Sequence, residues 1–252
     1  MRGSPLVCLL IVLVACCTSQ AVEKIVAGES SRVVGSVYGK PVTAADIELT
    51  TAIDRDVKFD ARDGEKWDLM GRILTSFGKP VVDRFIEAKR IDATAEEIKA
   101  CQDRMRQSNQ QSVEQMEERL EKVNAELASS TLRDENAAKL EKERTFLENI
   151  LPTLRHVAKQ TPSEEIARQL VVASKIEQAL YRTYGGRVIF QQAGPEALDA
   201  RRRLFEEAEE SGDLKFEDAG VHHMFYYYYV NMKHVVISDD AIEQVWSGEK
   251  SQ

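Results

Sequence analysis

Between residues 112 and 151, Val113, Met116, Leu120, Val123 and Leu127 recur at alternating spacings of three and four, the seam of a coiled coil. A stripe this narrow is buried only by a second helix with an equally narrow stripe. Ser129-Ser130-Thr131 interrupts it, and Leu132, Leu140, Phe146, Leu147 and Ile150 continue the apolar pattern, so the segment reads as an antiparallel helical hairpin turning at those small polar residues. Glu118 with Lys122 and Glu135 with Lys139 stand four apart and support each arm by a few tenths of a kcal/mol. With 10 acidic and 6 basic side chains in this segment, its outer surface is that of a solvated arm. Such an arm packs on itself, lines a cradle for a bound polypeptide, or mediates pairing.

The period of 3.6 continues on both sides of the hairpin, and the fold class it implies is mainly α. A first helix is expected from about Thr43 to Val57. A second carries Trp67, Met70, Ile73, Leu74 and Phe77, with a kink or short break at Gly78-Lys79-Pro80 before Val81, Val82, Phe85 and Ile86. Thr94 and Glu97 form a capping box that starts a third. Thr161-Pro162-Ser163-Glu164 starts another, with proline at its first position, which runs to Tyr184 and stops at Gly185-Gly186. Its face of Ile166, Leu170, Val171, Ala173, Ile176 and Leu180 is wide enough for core. Arg201-Arg202-Arg203 before Glu206-Glu207 reads as a solvated helix face. Ahead of all of these, Val33 to Tyr38 alternates as a short strand, Gly39-Lys40-Pro41 turns, and Thr43 caps a helix whose third residue is Asp46. That strand needs a partner, and Val188-Ile189-Phe190 or Val235-Val236-Ile237 is the expected one.

The chain opens on a leader. Met1-Arg2 precedes an apolar block from Leu6 to Cys17, about 12 residues, which suits a signal-peptide core and is too short to span a bilayer. Ser19-Gln20-Ala21 offers one cleavage site. Leu13-Val14-Ala15-Cys16 resembles the bacterial lipobox, the preferred reading, and implies lipidation of Cys16 with enough acyl chain for stable membrane anchoring. The chain is therefore expected to be exported to the periplasm or cell envelope. Roughly 230 residues remain, ample for a core. The formal charge of −8 becomes −9 once Arg2 departs, and no basic stripe awaits nucleic acid. Only Cys101 lies outside the leader region among four cysteines, so there is no disulfide framework, and it shares a helix face with Ile98 and Met105.

The segment Val34 to Ile47, with its apolar strand, Gly-x-x-Val-Thr turn and following Asp46, resembles the N-terminal region of the SurA/PrsA class of exported bacterial chaperones. Asp92-Ala93-Thr94-Ala95-Glu96-Glu97-Ile98 is similar to the second hallmark of that region. Together they span about Val33 to Met105. The resemblance implies binding of unfolded or partly folded polypeptide on a helical cradle without ATP. Such chaperones often carry a parvulin prolyl isomerase module rich in short strands, and no stretch of that size here has strand periodicity. No isomerase activity is expected.

Other chemistry finds little support. His222, His223 and His234 are the only histidine cluster, but on a helix the first two diverge by about 100° and the third lies about three turns on, poor geometry for one ion. No metal, cofactor or catalytic residue is assigned. Phe225-Tyr226-Tyr227-Tyr228-Tyr229 is the sharper feature, since five consecutive rings cannot all point inward. Either two or three of the rings complete the core against the helix carrying Tyr181 and Tyr184 while the others lie on the surface, or the run, with Met224 and Met232 flanking it, is a candidate aromatic patch for apolar peptide segments. The organisation expected is a leader over 1–21, a chaperone-like helical part over 22–111, the charged hairpin over 112–151, and a C-terminal helical part over 152–252 packing back on the N-terminal part. The function expected is that of an exported, chaperone-like binder of unfolded or envelope polypeptides; the alternative is a structural or assembly lipoprotein with one dedicated protein partner.

Overall fold

A computed structural model describes residues 31–50, 53, 64–129, 134–191, 194–230 and 233–247. The expected leader with Cys16, the expected turn at Ser130 and Thr131, and Met232 lie outside them. The fold is mainly α with short N-terminal antiparallel strands. It divides into two compact units, one of Asp92–Lys175 and one joining the residues up to Ile91 with those from Ile176 onward.

The hairpin unit is built on α3 (Ala95–Leu127) and α4 (Asp134–Lys159). Met116 and Val123 bury against Leu140, Leu147 and Leu151, the narrow seam foreseen from its spacing. Ion pairs across the hairpin add to it: Arg119 donates from Nε and Nη2 to the two carboxylate oxygens of Glu143 at 2.7 and 2.8 Å, and Arg155 donates to Glu117 at 2.8 Å. Arg119 draws the Glu143 carboxyl below its usual range. The Thr94 capping box forms as expected, with Glu97 N–H donating to Thr94 Oγ1 at 3.2 Å and Thr94 N–H donating to Glu97 Oε2 at 2.8 Å. Lys175 Nζ holds the same carboxylate at 2.9 and 3.0 Å. Because α3 runs unbroken from Ala95, the expected boundary at 111/112 falls in mid-helix. Cys101 is a buried apolar residue beside Ile98, Ala167 and Val171.

α5 (Glu164–Tyr184) begins two residues later than its proline suggested. Ser163, not Thr161, accepts the first helical bond, from Ala167 N–H at 3.0 Å. Ile166 and Leu170 are exposed, so the buried stripe of this helix is narrower than the sequence implied.

In the other unit, β1 (Val33–Val37) and β2 (Lys40–Thr43) form a hairpin closed by Tyr38 and Gly39, both at positive φ, 50° and 74°. Two such residues make the turn whose twist matches the strands. Lys40-Pro41 thus belongs to a strand, where a turn was expected. Thr43 and Asp46 do exchange the bonds of a cap, Thr43 N–H to Asp46 Oδ2 at 2.7 Å and Asp46 N–H to Thr43 Oγ1 at 3.3 Å. They close a turn rather than starting a helix, since Ala44 to Glu48 form only turns and Glu48 adopts a φ of 49°. Beyond these, Leu49, Thr50 and Ile53 are not helical, and the rest of that expected helix lies outside the described residues.

The outer partner of β1 is β5 (Leu214–Phe216), giving an antiparallel order β2-β1-β5. Neither expected segment pairs with β1; they meet each other instead, Ile189 opposite Val236. Gly35 is required where these elements converge, because a Cβ there would lie 2.2 Å from Lys215 O and 2.7 Å from the Phe77 ring. α1 (Gly64–Ile73) passes through a π turn at Leu74–Gly78 into α2 (Lys79–Lys89). The interruption expected at Gly78-Lys79-Pro80 therefore takes the form of a widened turn, not a break. After β3 (Ile189–Gln191) and β4 (Gly194–Glu196) come α6 (Leu198–Glu210), α7 (Ala219–Val230) and α8 (Asp239–Ser247). Phe77, Phe205, Phe225, Leu198, Leu214 and Met224 centre the core of this unit. Among the described residues no helix is long and apolar enough to cross a membrane.

Candidate functional site

Asp218 sets where the aromatic run lies. Its Oδ1 accepts from the N–H groups of Gly220 and Val221 at 2.8 and 3.1 Å, capping α7, while Oδ2 accepts from Arg32 at 2.6 Å. A helix started there turns Val221, Phe225 and Tyr229, four apart, into the core. Met224, Phe225 and Tyr229 are 1%, 0% and 4% exposed. These three cannot present a surface to a peptide and drop out of the candidate patch, leaving two of the five rings in the core. Phe225 packs on Phe205 and Phe216 with ring centroids 5.0 and 5.1 Å apart.

Tyr226, Tyr227 and Tyr228 are half-buried. Tyr226 donates its hydroxyl to Glu209 at 3.0 Å, and the same carboxylate lies 3.3 Å from His222 Nε2. Tyr227 meets the His223 ring. Tyr228 donates to Glu196 Oε2 at 2.6 Å and accepts from Gln191 Nε2 at 2.8 Å. Burial, and then the neighbouring carboxylates, push both the Tyr226 and Tyr228 hydroxyls well above the usual phenol range. At neutral pH both therefore stay donors, fixed in place, and neither is poised as a base.

Beside Tyr228 lies a charged cluster that the sequence did not mark. Glu177, on α5, is 8% exposed; its Oε2 accepts from Ala197 N–H at 2.9 Å, and its Oε1 bonds Arg201 Nη2. The first turn of α6 is thereby capped by a carboxylate from another helix. Arg201 Nε stands 3.9 Å from Glu196 Oε1, too far to donate. Burial raises the Glu196 carboxyl above its usual range despite the Tyr228 bond and the Arg201 charge. The expected solvated arginine face thus divides: Arg202 reaches Glu206 and Arg203 reaches Tyr184 O, but Arg201 turns inward. A signal was present, since Arg201 follows Leu198 by three and precedes Phe205 by four, on the apolar stripe of α6. Close by, Arg187 beside Asp199 draws its carboxyl down to about 2 and ties the loop after α5 to α6.

The cluster borders a cleft of about 440 Å³ lined by Leu74, Thr75, Gly78, Lys79 and Val82 on one side and Glu196, Arg201, Phe205, Tyr228 and Tyr229 on the other. The π turn supplies its first three residues. Gly78 lets the π turn pack closely on the core rings, as a Cβ there would come 3.2 Å from the Phe205 ring and 3.5 Å from that of Phe225.

The other apolar surface of this unit lies on the ribbon made by β4, β3 and the segment from Val235 to Ile237. Phe190 stands opposite Pro195 on one side, and on the other its N–H donates to Val235 O at 3.3 Å. Residues directly opposite share a face. Pro195, Phe190 and Val235 therefore form one row, and Phe190 and Val235 are 63% and 79% exposed. The next row, Glu196, Ile189 and Val236, lies on the opposite face, where Ile189 is fully buried. His234 Nε2 lies 2.9 Å from Tyr228 O and so carries the hydrogen of that bond. Among the described residues no three histidine, cysteine or carboxylate side chains are grouped to hold a metal ion. No family model, curated protein or solved structure matches the chain.

Proposed function

We propose that the chain is an exported, ATP-independent binder of unfolded or partly folded polypeptide, acting through the apolar row on its β3–β4 ribbon. The observation that carries this reading is the pair Phe190 and Val235, two large apolar side chains side by side with most of their surface in water. Contiguous apolar surface of this kind marks interaction sites in water-soluble domains. An acidic chain around it keeps a loaded complex soluble. The similarity of the segments Val34 to Ile47 and Asp92 to Ile98 to the SurA/PrsA class supports the same function.

Aggregation assays test it. The wild-type protein is expected to suppress aggregation of several unrelated, chemically unfolded substrates. Phe190→Ser combined with Val235→Ser is expected to raise the concentration needed at least about 5-fold, with melting temperature nearly unchanged because both side chains are already exposed. No suppression, with one stoichiometric partner recovered by crosslinking, would establish the alternative of a dedicated envelope partner.

Export and anchoring belong to the same reading. Acylation at Cys16 predicts a mature chain starting at that residue, with mass added by lipid, in mass spectrometry of protein from a bacterial membrane fraction. A mature terminus at Val22 without lipid would instead assign ordinary cleavage after Ala21.

A further inference from the structure

The cleft beside Tyr228 has a composition that specifies more than apolarity. Leu74, Val82 and Phe205 give it an apolar wall. Next to that wall stand three polar atoms with capacity left over. Arg201 Nε–H is buried without a hydrogen-bond partner. Glu196 uses Oε2 for Tyr228, while its Oε1 accepts no hydrogen bond among the described residues and lies 3.9 Å from Arg201 Nε. Tyr229 is buried, lines the cleft, and its hydroxyl has no hydrogen-bond partner among the described residues. Arg201 Nε has no accessible surface and stays out of a ligand's reach, whereas the spare Tyr229 donor and the spare Glu196 acceptor together suit a group that both accepts and donates.

A ligand carboxylate only accepts and would bring a second negative charge against Glu196. An ammonium only donates and would meet the Arg201 guanidinium. A secondary amide fits, because its carbonyl accepts from the Tyr229 hydroxyl and its N–H donates to Glu196 Oε1. The volume of about 440 Å³ falls in the range of small-ligand sites and leaves room for an aliphatic side chain beside the amide. The π turn is consistent with this use, since such turns inside α-helices occur frequently at functional sites.

We infer that this cleft takes one apolar residue of an extended polypeptide, holding its backbone amide with Glu196 and Tyr229 and its side chain against Leu74, Val82 and Phe205. The inference rests on the polypeptide-binding reading and adds to it a second, residue-sized subsite distinct from the exposed row.

The test uses the full chain and a fluorescein-labelled leucine–serine heptapeptide capped at both ends, followed by fluorescence anisotropy. Tyr229→Phe keeps the buried ring and removes the spare hydroxyl; it is expected to weaken binding roughly 5-fold, the worth of one hydrogen bond. Leu74→Trp, at a half-buried position, fills the cleft and is expected to weaken binding at least 10-fold, with circular dichroism verifying the fold of both variants. Replacing the leucine amide by an ester in the peptide removes the donor to Glu196 and is expected to cost a similar factor of about 5 in the wild-type protein. Peptide affinity unchanged in both variants, while substrate aggregation is still suppressed, overturns the subsite and leaves the exposed row as the binding surface. Decanoate displacing the peptide from the wild-type protein but not from Leu74→Trp assigns the cleft to fatty carboxylates and overturns it as well. A wild-type protein that neither binds the peptide nor suppresses aggregation removes the polypeptide-binding reading itself.

Discussion

Arg201→Met is expected to destabilise the chain by about 3–5 kcal/mol, the usual cost of leaving one member of a buried ion pair without its partner. Glu177 is 8% exposed, and Arg201 is its only cationic partner among the described residues. Removing the guanidinium leaves a carboxylate in the core with one remaining bond, from Ala197 N–H. Denaturant unfolding followed by circular dichroism measures the loss as a lower midpoint. The paired variant Glu177→Gln with Arg201→Met is expected to recover more than half of it, since the glutamine still accepts from Ala197 and carries no charge to desolvate. If the single and paired variants unfold at the same midpoint, the cost lies in lost packing of the arginine stem and the buried charge is not what matters. The result bears on function, because the same guanidinium lines the cleft and neighbours Glu196.

The second large effect belongs to Phe225→Ala, with an expected loss of about 3–5 kcal/mol. The ring is fully buried and stacks edge-on or tilted against Phe205, Phe216 and Phe77, at centroid distances of 5.0, 5.1 and 6.5 Å. Little can collapse into the gap, because the sheet and the π turn hold those neighbours from two sides. Two positions along, Tyr227→Ala is expected to cost under about 1.5 kcal/mol, as its ring is only half-buried and meets His223 edge-on at 5.7 Å. Chemical denaturation of both variants separates the cases. Equal losses would mean that the helix face assigned to α7 is rotated from the one described. The contrast also tests the functional correction, since a run that formed one exposed patch would tolerate either change.

The helical hairpin shows what spacing alone can carry. Its seam residues Met116, Val123, Leu140 and Leu147 are local facts of a 3.5-residue repeat, and each helix needs only the other for burial. The Thr94–Glu97 capping box is equally local, both its bonds closing within four residues. Where a motif's outcome depended on residues further along, the same chemistry led elsewhere. Thr43 and Asp46 make cap-like bonds, yet the chain there enters a turn and leaves through Glu48 at positive φ.

Three extended segments were legible as strands, but not their partners. Val188 to Phe190 and Val235 to Ile237 are extended, as their composition suggested, but pair together, while β1 takes β2 and β5. β5 is three residues, Leu214-Lys215-Phe216, too short for an alternating pattern to stand out from the loop around it. Register across the 176 residues between Val37 and Leu214 is set by what each strand must bury, and periodicity within one strand contains no such information.

By itself, then, the sequence determined the mainly α class, the hairpin and its seam, the third helix's start, and the placing of five rings on at least two faces of whatever element held them. Those follow from dihedral periodicity and from bonds closed within a turn. Only the tertiary structure decided which of the rings are core, that Arg201 points inward to Glu177, that Phe190 and Val235 form one exposed row, and that a π turn faces a cleft with an unspent donor and acceptor. Each of these depends on elements far apart in the chain sharing one interior, where burial changes the worth of a charge or a hydroxyl by several kcal/mol while leaving its letter in the sequence the same.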